Sequence, residues 1–180
     1  MDKNFKVDRN LVEQIVTFRN LPKESGGWRI AFYHIAKEFW NLPEVYIVLD
    51  KNLYEQGLKI PVFREYKQLT GIQMFSNYAK ALAFVEKTDD MFISNGKKLI
   101  AKIKNGAFRE VFSPFFAEQE FVYILNENDC EFIDTFERLI KVMEADDNYI
   151  VDEEQEQLLL EKNVQGFFSD ICKKYIVLED

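Results

Sequence analysis

The run Val45-Tyr46-Ile47-Val48-Leu49 limits the possible folds of this chain more than any other segment. Its residues are β-branched, aromatic or aliphatic, which are the side chains that fit best in a strand. A strand with one exposed face alternates apolar and polar residues, whereas every residue of this run is apolar. The run therefore predicts a strand that is buried on both faces of a sheet.

Two amphipathic helices are predicted ahead of this strand. Over residues 10–19 the apolar side chains fall on one broad face, and Asn10 followed by Glu13 is a capping-box-like start. Over residues 27–40 the large apolar residues recur at spacings of four, three and four, at Trp28, Phe32, Ile35 and Phe39. Pro43 then ends the second helix, because proline lacks a backbone N–H.

Further strands are predicted at residues 58–63, 90–93 and 121–125. Pro61 places the first of these at a sheet edge or a bulge, and its spacing from residues 45–49 favours a hairpin between the two. Residues 99–103 fit a strand or a helix, and Asn105-Gly106 after them is a hairpin signal.

Helices are predicted over residues 77–87, 131–144, 153–162 and 165–175 from their apolar periodicity. Strands do not alternate strictly with long helices, which disfavours a doubly wound parallel sheet. We therefore expect an α+β fold with a mixed or antiparallel sheet of about four to five strands packed with helices, two N-terminal helices and a helical C-terminal tail. The length of 180 residues indicates a single domain over residues 1–180.

Negative charge is concentrated late in the chain. The formal net charge is −8, yet residues 127–161 hold thirteen acids against only Arg138 and Lys141, a local charge of −11. One interpretation is a surface that attracts a basic protein partner, with Asp146, Asp147, Asp152, Glu153, Glu154 and Glu156 as partner-binding residues. The other is that these acids are the solvated faces of two helices and complement their dipoles.

Several other functions are disfavoured by the same residues. The negative charge makes nucleic acid and anionic membranes poor partners. His34 is the only histidine, Cys130 and Cys172 are far apart, and no zinc spacing or catalytic triad is formed. A calcium loop that started at Asp146 would need glycine at its sixth position, where Val151 stands. We expect no cofactor, no metal and no catalytic residue.

The leading hypothesis is a non-enzymatic protein-binding module, such as an adaptor, a chaperone-like protein or an immunity-type factor. An enzyme remains an alternative, with Arg64, Glu65 and Tyr66 as candidates because they follow a predicted strand. A structural subunit of a larger assembly is the third. The absence of an apolar leader or spanning segment, and two distant cysteines, favour a cytoplasmic protein.

Two aromatic clusters, at residues 112–116 and 167–168, are either core or an interface. Phenylalanine is most often buried, which favours the core.

The strand sequences also resemble one family. Three segments resemble the strands of SseB amino-terminal-type domains. They are residues 45–49, then Leu58-Lys59-Ile60-Pro61-Val62-Phe63, and later Phe121-Val122-Tyr123-Ile124-Leu125-Asn126. The chain departs from that pattern at Arg64-Glu65, where small hydroxyl residues are usual, and at Glu127, where proline is usual. The resemblance covers residues 28–144 and leaves 145–180 as a helical appendage. It implies a small cytoplasmic bacterial α+β domain and supplies no catalytic residues.

Overall fold

The computed structural model describes residues 5–91, 98–127, 129–146, 153, 154, 157 and 161–178. The helices are α1 (Phe5–Arg19), α2 (Gly26–Trp40), α3 (Lys51–Glu55), α4 (Tyr78–Met91), α5 (Asn105–Ala107), α6 (Ser113–Glu118) and α7 (Phe136–Ala145). A π-helical turn, Phe108–Phe112, joins α5 to α6. Near the C-terminus a second π-helical turn, Phe167–Ile171, lies between the short helices Val164–Gly166 and Cys172–Tyr175.

The strands are β1 (Val45–Asp50), β2 (Phe63–Tyr66), β3 (Leu69–Phe75), β4 (Lys98–Ile103), β5 (Val122–Leu125), β6 (Phe132–Thr135) and β7 (Ile176–Leu178). They form one mixed sheet in the order β6-β5-β3-β1-β4-β7. The pair β3–β5 is parallel and the other pairs are antiparallel. β2 pairs with residues 69–72 of β3, while β1 pairs with Met74 and Phe75 of the same strand.

The α+β class is confirmed, and β1 is the central strand that its composition predicts. Val45, Ile47 and Leu49 pack into a large core on one face, whereas Tyr46 and Val48 pack into a smaller core on the other. α4 covers the smaller core with the side chains of Ala81, Phe84 and Val85. The remaining long helices contribute to the large core, so β1 is buried between two layers.

Both aromatic clusters belong to the large core, as phenylalanine burial suggests. Phe115 and Phe167 stack with ring centroids 3.8 Å apart and planes 5° apart. The five rings at positions 112, 115, 116, 167 and 168 are almost completely buried. β7 extends the sheet beside β4, so residues 167–178 contribute to both the core and the sheet.

The sheet has seven strands, more than the four to five expected. The hairpin expected between residues 45–49 and 58–63 is wrong, since β2 pairs with β3 and only Pro61 makes an isolated bridge, to Leu49. The true hairpin turns at Lys67 and Gln68, both with positive φ (47° and 70°). Such turns usually carry asparagine or glycine, so this sequence does not signal one.

Three local predictions also fail. Asn105-Gly106 begins a helix instead of a hairpin turn. Asp90 and Met91 lie in α4, and residues 92–93 of that predicted strand lie outside the described residues. The helix predicted over 131–144 begins only at Phe136, because residues 132–135 pair with β5 and the Thr135 hydroxyl caps the helix by accepting from the Arg138 N–H. Residues 99–103, which fitted either structure, form β4.

Within the described residues, no helix combines the length and the apolar character needed to cross a bilayer.

Candidate functional site

Helix α7 separates two surface grooves of opposite character. Its buried face, formed by Phe136, Leu139 and Met143, packs on the large core. One flank of the helix meets α6, and the other meets α2. The polar residues of each flank therefore decide what each groove accepts.

The groove between α6 and α7 is lined by four glutamates and has a volume of about 300 Å³. We call it the acidic groove. A short apolar strip, made by Pro114, Ala117 and Ile140, lies among the carboxylates. The carboxylates come from both sides of the groove, at Glu118, Glu120, Glu137 and Glu144.

All four glutamates are exposed, so their charges face solvent. Lys141, on the same helix, lies 2.9 Å from Glu137, and this hydrogen bond and charge lower the pKa of Glu137 below its usual value. Both side chains of this ion pair are exposed, so the pair contributes little to the stability of the fold. Four carboxylates against the single cation of Lys141 leave the groove with a net negative charge.

The structure describes three of the six predicted partner-binding residues, Asp146, Glu153 and Glu154. Asp146 lies on the opposite flank of α7, where it accepts a hydrogen bond from the Tyr33 hydroxyl (2.6 Å). This hydrogen bond raises the pKa of Tyr33 above its usual value. Glu153 and Glu154 are exposed and helical. The other three, Asp147, Asp152 and Glu156, lie outside the described residues.

Two of the thirteen late acids are largely buried. Glu127 is 8% exposed and forms an ion pair with Arg64. Asp134 is mostly buried, and burial raises the pKa of its carboxyl, an effect partly offset by the Thr135 N–H and by Arg138. The local charge of −11 therefore overstates the charge available to a partner.

The groove between α2 and α7 is mainly apolar and has a volume of about 390 Å³. We call it the arginine groove, because Arg29 and Arg138 line it. The aromatic rings of Trp28 and Phe32 form part of its wall, with centroids 5.8 Å apart and planes only 13° apart. The remaining lining residues are Tyr33, Val142, Ala145 and Asp146.

Apart from the two grooves, a cluster of polar side chains joins the carboxyl ends of the parallel strands β3 and β5. The carboxylate of Glu127 bonds to the Arg64 guanidinium and accepts from the Gln73 amide, which is 5% exposed. Next to it, the Asn126 side-chain oxygen accepts from the backbone N–H of Ser76 at 2.9 Å. The Asn126 amide also donates to the Ser76 hydroxyl at 2.9 Å.

Ligand sites often form at the carboxyl ends of parallel strands, which makes this cluster a candidate active site by position. Its charged groups are already engaged with one another, which is the arrangement that joins strands. Of the candidate enzyme residues, Arg64 belongs to the cluster, while Glu65 is exposed. In the described part of the chain, no three histidine, cysteine or carboxylate residues group as metal ligands.

Comparison with protein-family models, with curated proteins and with solved structures finds no match to this chain.

Proposed function

We propose that this protein is a non-enzymatic protein-binding module whose acidic groove takes a basic segment of a partner protein. The observation that carries the proposal is the placing of four exposed glutamates around one apolar strip between α6 and α7.

A basic segment fits both properties of the groove. Lysine and arginine have long aliphatic stems, which pack on apolar surface while their charged ends reach carboxylates. Ile140 and Pro114 supply that surface, and the glutamates lie around it. Complementary charge also speeds the encounter between partners and makes it sensitive to salt.

The proposal extends along the chain to Glu153 and Glu154, which are exposed. It includes an adaptor, chaperone-like or immunity-type role in a bacterial cytoplasm. The resemblance of residues 28–144 to SseB-type domains is part of this proposal and is consistent with the α+β class.

The test uses a fluorescently labelled peptide of alternating lysine and leucine, with binding followed by anisotropy. The triple variant Glu118→Gln, Glu120→Gln and Glu144→Gln should weaken binding about tenfold, since each exposed charge contributes about 0.5 kcal/mol. Binding by the unchanged protein should weaken steeply as salt increases, and the triple variant should show a shallower dependence.

The control is a second triple variant with the same change in net charge, Glu13→Gln, Glu65→Gln and Glu86→Gln, at exposed sites outside the groove. It should bind the peptide as the unchanged protein does. An equal loss in both triple variants would mean that only overall charge matters, and the proposal would fail. The pair Glu153→Lys and Glu154→Lys tests separately whether the surface extends beyond the groove.

A further inference from the structure

The arginine groove has the properties of a small-molecule site, and its chemistry is opposite to that of the acidic groove. Its volume of about 390 Å³ is in the usual range for small-ligand pockets. We propose that it binds a small aromatic carboxylate. This inference does not depend on the proposed function, because it concerns the other flank of α7.

The aromatic body is inferred from the rings in the wall. The rings of Trp28 and Phe32 lie nearly parallel, with planes 13° apart, and Val142 and Ala145 on α7 line the groove with them. Offset stacking on aromatic rings adds to the gain from burying apolar area. A ligand with an aromatic ring can stack in this way on the wall, whereas a branched or polar body cannot.

The carboxylate is inferred from the two guanidinium groups. Arginine binds carboxylates with two parallel N–H donors, which fixes the orientation of the ligand. Arg29 is exposed, and within the described residues it has no ion pair. The lining contains a single carboxylate, Asp146, which already accepts the Tyr33 hydroxyl.

Arg138 already contacts two side chains beside the groove before any ligand arrives. Its guanidinium lies 5.6 Å from the centre of the Phe32 ring, and its Nε lies 3.8 Å from Asp134. Five N–H donors are available on a guanidinium, so these contacts leave donors for a ligand. A side chain that is already ordered loses less entropy on binding.

The test uses 2-naphthoate as the probe and 2-naphthamide as its uncharged match. The chain has two tryptophans, so its ¹H–¹⁵N spectrum has two indole signals. Trp28 lines the groove, whereas Trp40 is buried against Phe108. We expect 2-naphthoate to shift the Trp28 signal in a saturable way, with much less effect on Trp40, and 2-naphthamide to bind at least fivefold more weakly.

Matched variants locate the charge. Arg138→Met and Arg29→Met should each weaken 2-naphthoate binding about fivefold. Lys141→Met removes a cation from the same helix but outside this groove, and should leave binding unchanged. Ala145→Trp should block binding by filling the groove.

Three results would overturn the inference. The first is a Trp28 signal that does not move at millimolar 2-naphthoate. The second is equal binding of the amide and the carboxylate, which would indicate a seat for an uncharged aromatic side chain of a partner. The third is an equal loss with Lys141→Met and Arg138→Met, which would indicate a general charge effect.

Discussion

The ion pair between Arg64 and Glu127 offers a sharp test of what holds β2, β3 and β5 together. We consider Arg64→Met, which keeps most of the side-chain volume and removes the charge, and Glu127→Gln, which keeps the shape. Glu127 has only 8% of its side chain exposed, whereas Arg64 has 41% exposed. The two single variants should therefore have unequal costs.

Removing Arg64 leaves a buried carboxylate with only the Gln73 amide described as its partner. Loss of one member of a fully buried pair costs about 3–5 kcal/mol, and the exposure of Arg64 reduces this to about 2 kcal/mol. Glu127→Gln leaves a guanidinium that reaches water, so it should cost about 1 kcal/mol. The double variant removes both charges and should also cost about 1 kcal/mol, for a coupling of about 2 kcal/mol.

The assay is urea unfolding of the four proteins, followed by tryptophan fluorescence, with the free energy taken from the midpoint and slope. Neither tryptophan lies in this cluster, so the signal reports unfolding of the whole chain. If the costs of the two single variants simply add to about 3 kcal/mol in the double variant, the side chains are not coupled and the argument is refuted.

Three further predictions concern the same half of the sheet. Asn126 has φ 54°, so Asn126→Gly should cost about 2 kcal/mol through lost hydrogen bonds, and Asn126→Ala about 1 kcal/mol more, by urea midpoints; equal costs would contradict this. Burial raises the pKa of Asp134, so stability falls as pH rises from the unfolded pKa of this carboxyl to its higher folded pKa, and then levels off. The stability of Asp134→Asn relative to the unchanged chain should improve between those two pKa values, and a pH-independent difference would count against it. A Cβ at Gly71 would lie 2.9 Å from the Arg64 backbone oxygen and 2.7 Å from Ile124 Cδ1, so Gly71→Ala should lower stability by about 1–3 kcal/mol in thermal unfolding, whereas Gly26→Ala, with open space, should not.

Elements whose pattern is decided locally were predictable from the sequence. β1 is recognisable because every residue is apolar, and α2 because its large side chains form one stripe ended by Pro43. Residues 132–135 were not predictable, because their apolar spacing suits both a helix and a strand. Pairing of Ile133 with Ile124 decides the matter, and that pairing exists only in the folded sheet.

β3 was missed because its burial depends on a distant residue. Gln73 is polar, yet it is buried in the middle of the strand because Glu127, 54 residues later, accepts its amide hydrogen bond. The apolar and polar pattern of residues 69–75 alone does not show that Gln73 has this partner. From the sequence, Arg64 and Glu127 stood out only as two separate departures from the strand pattern that this chain resembles, and the structure shows that they contact each other.

The candidate site was predictable in charge and not in place. The six predicted partner-binding residues all follow α7, and none of the three that are described, Asp146, Glu153 and Glu154, lines the acidic groove. Glu118 and Glu120, which do line it, precede the acid-rich range 127–161. They join Glu137 and Glu144 only because α6 packs beside α7. The sequence of α6 does not predict this packing. Its buried phenylalanines show that the segment is apolar, but not which helix it packs against.

Because α7 forms a wall of both grooves, a ligand that displaces this helix in one groove also changes the binding affinity of the other groove. A tilt of α7 that widened one side would narrow the other, and the resulting penalty or gain would be equal in both directions. A small anion bound on one flank of α7 would then change the affinity for a cationic chain on the other flank, without any contact between the two ligands. Measuring each affinity with the opposite recess filled would give this cross-talk as a single free energy.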